Sequence, residues 1–110
     1  MKKFIALLMG SMTDAPTQPD EATMARGMAA WSQWMADHAG AVEDGGGPVG
    51  KTKLIGPGGI SDTRNAVSGF LVVRAEDHAA AARLFENHPH FSIFPGTGVE
   101  VMEVLPIPGR

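Results

Sequence analysis

The sequence predicts an α+β domain of the ferredoxin-like order βαββαβ, in which two helices cover one face of a four-stranded antiparallel sheet. Three observations support this prediction. The short apolar runs at residues 4–9 and 70–73 are typical of strands that are covered on both faces. A stripe of Met and Trp at helical spacing stands between these runs. A chain of 110 residues has room for one core, so we expect a single domain over residues 1–110.

The first half of the chain predicts a strand, a polar connection and a helix. The strand is the apolar run at residues 4–9, whereas residues 11–20 hold two prolines among Ser, Thr and Asp, which excludes regular structure. Asp20 is a suitable N-cap, and Gly40 predicts the end of the helix. The apolar stripe on this helix, which is typical of a core face and also suits an adaptable apolar pocket, consists of Met24, Met28, Trp31 and Met35.

The second half predicts two more strands, a helix and a last strand. Residues 45–59 are rich in Gly and broken by two prolines, so only residues 52–55 have strand character, either as an irregular strand or as a hairpin arm. Residues 67–74 form the strongest predicted strand, and the acidic pair at residues 76–77 opens an Ala-rich helix. A Gly/Pro turn then leads into a strand at residues 99–105.

The pairing of these elements predicts a homodimer. In the ferredoxin-like arrangement the first and third strands are central, and both helices lie on one face. The runs at residues 4–9 and 70–73 nevertheless present apolar side chains to both faces. The uncovered face of a monomer would be a large exposed apolar patch, and a second copy packed there covers it by symmetry.

Composition excludes several classes of protein. The net charge is -3 with both signs interspersed and only 6% of the residues are aromatic, which argues against a nucleic-acid partner. Cysteine is absent, so disulfides and thiolate chemistry are excluded and a reducing compartment, the cytoplasm, is expected. The apolar run at residues 4–9 is too short for a secretory signal, and no run is long enough to span a membrane.

The stretch at residues 57–70, Pro-Gly-Gly-Ile-Ser-Asp-Thr-Arg-Asn-Ala-Val-Ser-Gly-Phe, resembles a signature of the YCII-related family, in particular its DGPF-domain branch. That signature runs from Asp-Gly-Pro-Phe through Glu-Thr-Lys-Glu to Gly-Gly-Phe. The agreeing positions are Gly58, Thr63, Gly69 and Phe70, and charge is kept at Asp62 and Arg64. Residues 99–104 are similar to the family's terminal Val-Glu-Val-Arg-Pro strand. The resemblance covers nearly the whole chain and implies a ferredoxin-like fold paired as a dimeric α/β barrel, with no established reaction.

Two departures limit what the resemblance implies. Positions 57, 59 and 60 do not match the Asp, Pro and Phe of the signature. Members of the YciI type have a His and Asp pair suspected of catalysis, with the His three positions after an Arg in the first helix. Here Arg26 is present but Ala29 occupies the position of the His. The resemblance therefore does not carry that acid/base pair over to this chain.

Residues 45–52 match the string of a phosphate-binding loop, Gly, four residues, then Gly-Lys-Thr. That loop requires a buried strand before it and a helix after it, whose N-terminus faces the phosphates. The segment here follows a predicted helix, and residues 53–57 cannot be helical because they lead into a Gly-Pro pair. A glycine-rich turn is the better interpretation, and phosphate-loop nucleotide binding is the least supported hypothesis.

Four polar residues are the candidate catalytic residues. Asp62 and Arg64 are separated by one residue, so in an extended segment they point the same way and form an ion pair or bind a polar substrate. His88 and His90 follow the second helix and form either a proton-transfer pair or a capping loop that packs Phe91 inward. A metal site is not predicted, because no third ligand lies at a recognisable spacing.

Two functions remain open from the sequence. The first is an enzyme-like protein that binds a small organic molecule in a cleft between sheet and helices, with these four residues in proton transfer or anion binding and Trp34 at the cleft. No cofactor is implied. The second is a non-catalytic dimeric binding or accessory module in which the polar residues are structural.

Overall fold

The computed structural model describes residues 1–10 and 18–109. Most of the polar connection predicted at residues 11–20 lies outside these described residues. In chain order the elements are β1 (Lys2–Met9), α1 (Glu21–Asp37), β2 (Val42–Pro48), β3 (Thr52–Gly56), β4 (Gly59–Thr63), β5 (Val67–Ala75), α2 (His78–Arg83), α3 (Pro89–Ser92) and β6 (Gly98–Glu103).

The main sheet has four antiparallel strands in the order β2-β5-β1-β6. The two strands with the strongest apolar runs, β1 and β5, are central, and Phe4 pairs with Val73 while Leu7 pairs with Phe70. The predicted α+β class with a four-stranded antiparallel sheet and helices is confirmed. The strands β3 and β4 pair with each other in a separate two-stranded sheet, the β3–β4 hairpin.

The strand β2 is the main difference from the sequence prediction, which found strand character within residues 45–59 only at residues 52–55. Those residues form a hairpin arm, which is one of the two predicted alternatives. The edge strand of the main sheet is instead the glycine-rich segment Val42–Pro48, which pairs with β5 through two register shifts. Because three consecutive glycines have no side chains, this strand shows no alternation of polar and apolar residues that sequence analysis could detect.

The core lies between the helices and one face of the sheet. Its buried side chains come from alternating positions of β1 and β5 and from α1, α2 and the turn after α2: Phe4, Ala6, Leu8, Trp34, Leu71, Val73, Ala75, Ala81 and Phe85. The predicted N-cap of α1 is confirmed, since the Asp20 carboxylate accepts a hydrogen bond from the backbone N–H of Thr23 at 2.7 Å. Asp77 caps α2 in the same way.

The opposite face of the sheet, here called the open face, carries the other set of alternating side chains. Ile5 lies between Val72 and Met102 in the strand pairing, and the side chains of this row are half-buried or exposed. This arrangement is the two-sided apolar pattern on which the expected homodimer depends. The homodimer itself stays a prediction.

The packing of α1 on the chain segment after α3 depends on Gly27. A Cβ at this position would overlap the ring of Phe94, including its Cε1 atom at 2.8 Å. Alanine would raise helix propensity by about 1 kcal/mol, but overpacking a buried contact costs about 1–3 kcal/mol. We therefore expect Gly27→Ala to lower the free energy of unfolding by up to about 2 kcal/mol, measured by urea denaturation.

The matched control is Gly40→Ala, because no described atom lies within 4 Å of a Cβ built at Gly40. This substitution is expected to change stability by less than about 0.5 kcal/mol. A Gly27→Ala variant at least as stable as the wild type would contradict the close packing at Phe94.

Candidate functional site

A cleft of about 1390 Å³ opens between α1, the base of the β3–β4 hairpin and one end of the main sheet. The side chains of its apolar wall, here called the cleft floor, are Leu8, Met24, Met28, Trp31, Leu71 and Phe94. The basic side chains on the hairpin side, here called the cationic rim, are Lys51, Lys53 and Arg64. An apolar surface with a few convergent polar groups is the usual make-up of a small-molecule site.

The α1 part of the cleft floor comes from the Met and Trp stripe. Met28 is 56% exposed and Met24 is 38% exposed, so these methionines face the cleft rather than the core. Further along the same stripe, Met35 packs against the core. One helical stripe therefore serves the core at its C-terminal end and the cleft at its N-terminal end.

The two tryptophans of α1 differ in their position relative to the cleft. Trp34, which was predicted at the cleft, is only 7% exposed, and its indole Nε1–H donates to the carbonyl of Leu84 at 2.9 Å. Trp31 lines the cleft instead. The prediction for Trp34 is wrong because the buried face of α1 extends beyond the predicted stripe and includes position 34.

The cationic rim is only partly neutralised by acidic groups. Asp62 lies opposite Lys53 in the hairpin, and its carboxylate pairs with Lys53 Nζ at 2.5 Å, so its ion-pair partner is Lys53. Within residues 1–10 and 18–109, neither Arg64 nor Lys51 forms an ion pair. These two cations therefore leave a positive potential at the cleft that an anionic ligand can use.

His88 is fully buried at the start of α3. Its Nδ1 accepts the backbone N–H of His90 at 3.0 Å and caps the helix, which places the proton of the neutral ring on Nε2. The surrounding rings are those of Trp31, Trp34 and Phe85, with centroids 4.7, 4.8 and 5.7 Å away. Burial, followed by the charges of His90 and His38, lowers the pKa of His88 to about 4. His88 is therefore neutral near pH 7.

His90 lines the cleft although only 2% of its surface is exposed. Its Nε2 lies 2.7 Å from the backbone carbonyl oxygen of Met9 at the end of β1. A carbonyl oxygen can only accept a hydrogen bond, so this nitrogen carries a proton and donates it. Gly96 lies so close to the imidazole ring that any Cβ there would overlap the ring.

The structure brings three of the four predicted residues to one cleft. Asp62, Arg64 and His90 line it, whereas His88 is buried against the Trp31 ring. The capping loop has both imidazoles inward and Phe91 37% exposed, which is the reverse of the predicted packing of Phe91. Lys53 was not predicted as a site residue, because its contribution depends on how the hairpin and helix meet. Trp31 was predicted only as part of the stripe that suits either the core or an apolar pocket.

Lys51 was part of the Gly-Lys-Thr string whose phosphate-loop interpretation was rejected. The string begins within β2 and ends at the first residue of β3, so an extended strand follows it and not a helix. The structure agrees with that rejection, yet the segment still lines the cleft through its backbone and through Lys51. Lys51 therefore belongs to the cationic rim of the cleft and not to a phosphate-binding loop.

Two kinds of feature are absent from residues 1–10 and 18–109. No cluster of three His, Asp or Glu side chains in this part of the chain could hold a metal ion. No helix in the same ranges is long and apolar enough to cross a membrane.

No protein-family model and no curated protein matches the chain. Among solved structures, 5-chloro-2-hydroxyhydroquinone dehydrochlorinase (TftG) from Burkholderia phenoliruptrix AC1100, in complex with 2,5-dihydroxybenzoquinone, superimposes with a TM-score of 0.52. The match has 19% sequence identity and covers 91% of this chain and 90% of that chain. At this identity the likeness shows a shared fold, and this chain is related to that dehydrochlorinase in fold alone.

Proposed function

We propose that this chain is an enzyme-like protein that binds a small organic anion with a planar aromatic part in the cleft. The observation that carries the proposal is the opposition of the cleft floor and the cationic rim. Trp31, Met28 and Phe94 offer apolar surface to a ring. Arg64 and Lys51, which form no ion pair within residues 1–10 and 18–109, offer positive charge to an anionic substituent.

The neighbour in fold supports the proposal through the chemistry of its ligand. That protein was solved with 2,5-dihydroxybenzoquinone, a planar ring with oxygen substituents. A molecule of this kind would satisfy both surfaces of the cleft. We also propose, on the resemblance of residues 57–70, that the chain is a member of the YCII-related family. We further propose a single domain over residues 1–110 from the chain length, and a cytoplasmic location from the absence of cysteine.

The predicted catalytic residues have different proposed roles. Arg64 binds the anionic group of the ligand, and His90 is the group best placed for proton transfer, because it lines the cleft next to Trp31. Asp62 holds Lys53 in position through their ion pair. His88 serves the site through α3, since its ring is buried and its Nδ1 is used as a helix cap.

The test is a calorimetric titration of the pure protein with 2,5-dihydroxybenzoquinone and, separately, with benzoate. Replacing Arg64 by glutamine is expected to weaken binding about tenfold, equivalent to ~1.4 kcal/mol, because a charge-assisted hydrogen bond is lost. The matched control is Arg83→Gln, since Arg83 is an exposed arginine on α2 and outside the cleft lining. Equal affinities of the two variants, or no binding of either compound to the wild type, would refute the proposal.

The second candidate is a non-catalytic dimeric binding or accessory module, and the open face bears on its dimeric state. The half-buried row of Ile5, Leu7 and Val72 continues into the exposed Met102. We propose that a second copy of the chain covers this face. Sedimentation equilibrium at micromolar concentration is expected to give twice the chain mass of 11.6 kDa, and a monomer mass would rule the homodimer out.

A further inference from the structure

We infer that His90 accepts a hydrogen bond from a hydroxyl group of the ligand, so that hydroxylated aromatic acids are the preferred ligand class of the cleft. This inference rests on the proposed function and adds to it a specific substituent and a specific atom. The ring nitrogen of His90 that carries the proton decides which nitrogen can accept a hydrogen bond from the ligand.

The bond to Met9 fixes the tautomer. Because Nε2 of His90 donates to the carbonyl of Met9 at 2.7 Å, the neutral ring has its lone pair on Nδ1. An unprotonated ring nitrogen has a lone pair and no hydrogen to donate, so it selects ligands that present an O–H or N–H. A ligand carboxylate would not satisfy this nitrogen in the neutral ring and would be directed to the cationic rim.

Nδ1 of His90 is also accessible. Across residues 1–10 and 18–109, the single buried side-chain nitrogen or oxygen without a hydrogen-bond partner is Nε2 of His88. Within residues 1–10 and 18–109, Nδ1 of His90 forms no hydrogen bond and is not among the buried unpaired atoms, so the 2% of the residue's surface that is exposed includes this nitrogen. Since His90 lines the cleft, that solvent is the solvent of the cleft.

The imidazole is held before any ligand arrives. The Met9 carbonyl bonds one edge of the ring, Gly96 packs closely against it, and the backbone N–H of His90 is bonded to His88 Nδ1. A group fixed in this way loses little conformational entropy on binding. Trp31 lies edge-to-face with His90 at a centroid distance of 6.2 Å, so an aromatic ring on Trp31 would bring its substituents close to this nitrogen.

The experiment compares benzoate with 2-, 3- and 4-hydroxybenzoate in the wild type and in His90→Gln. Glutamine can keep an N–H donor for the Met9 carbonyl but has no lone pair at the position of Nδ1. For the best-binding hydroxy isomer, we expect the hydroxyl to improve the affinity of the wild type about tenfold and that of His90→Gln less than about twofold. Because His90 lines the cleft, the quantity compared is the gain in affinity from the hydroxyl within each protein, and not the affinity for benzoate between the two proteins.

Each other outcome has a distinct meaning. If benzoate binds but no hydroxyl isomer binds more tightly, the role of His90 is overturned while the proposed function stands. If His90→Gln weakens benzoate and hydroxybenzoate equally, His90 is structural and the inference is again overturned. If neither compound binds, the proposed function fails and the inference fails with it.

A measurement on the wild type keeps the inference falsifiable should His90→Gln fold poorly. Nitrogen-15 correlation spectra of the histidine rings are expected to show His90 protonated at Nε2, and its Nδ1 resonance should move on addition of hydroxybenzoate and much less on addition of benzoate. A ring protonated at Nδ1 in the neutral form, or equal shifts with both compounds, would overturn it.

Discussion

Replacing Gly46 by alanine is expected to lower the free energy of unfolding by about 3–4 kcal/mol. Gly46 has φ = 58°, a left-handed conformation that costs a residue with a side chain roughly 1–3 kcal/mol. A Cβ at this position would also overlap the backbone carbonyl of Phe70. That carbonyl belongs to the central strand β5, which is paired on its other side with β1, so it cannot move away without disturbing the sheet.

The neighbouring Gly47→Ala variant is the matched control. A Cβ at Gly47 has no described atom within 4 Å, and Gly47 is not among the glycines with positive φ. We expect this variant to lose less than about 1 kcal/mol in urea denaturation, so the difference between the two alanines measures the irregular geometry of β2. Equal losses for both variants would show that the strand does not have this geometry in solution.

The second large effect concerns acid and His88. The pKa of His88 is about 4 in the folded protein against an ordinary value of 6.5, because its ring is buried and lies near His90 and His38. The unfolded chain therefore binds the proton more readily between these two values. The contribution of the neutral His88 ring to the free energy of unfolding is fully present above about pH 6.5. It decreases as the pH falls towards 4, by up to about 3 kcal/mol.

The variant His88→Asn isolates this contribution. Asparagine is a good N-cap and does not titrate, so it can still accept the backbone N–H of His90. We expect it to be less stable than the wild type at pH 7, because the smaller side chain leaves a cavity among the aromatic rings. The difference should shrink by about 3 kcal/mol between pH 7 and pH 4 in denaturation curves. A constant difference across this range would mean that His88 titrates near its ordinary pKa.

The elements that the sequence predicts well are those with strong side-chain patterns. The continuous apolar runs of β1 and β5 specify the two central strands, and Asp20 with the Met and Trp stripe specifies α1. Each of these elements buries side chains that the printed sequence shows directly. The edge strand β2 could not be predicted in the same way, since its glycines contribute backbone pairing and contribute no side chains.

The site was less predictable than the fold for a related reason. Arg64, Asp62 and His90 could be identified as candidates because their residue types suggest chemistry. The sequence does not show that Asp62 would pair with Lys53 across the hairpin, which depends on the register set by the turn at residues 57–58. It also does not show which ring nitrogen of a histidine is occupied, because the carbonyl of Met9 is more than eighty positions away.

The β3–β4 hairpin forms its own two-stranded sheet, outside the ladder that encloses the core. Its base carries Lys53, Asp62 and Thr63 at the cleft, and the core side chains all belong to other parts of the chain. Substitutions in the hairpin can therefore accumulate during evolution with little penalty in folding. The same scaffold could acquire a preference for a different ligand by divergence of this hairpin, while the strands and helices that support it stay under constant selection for packing.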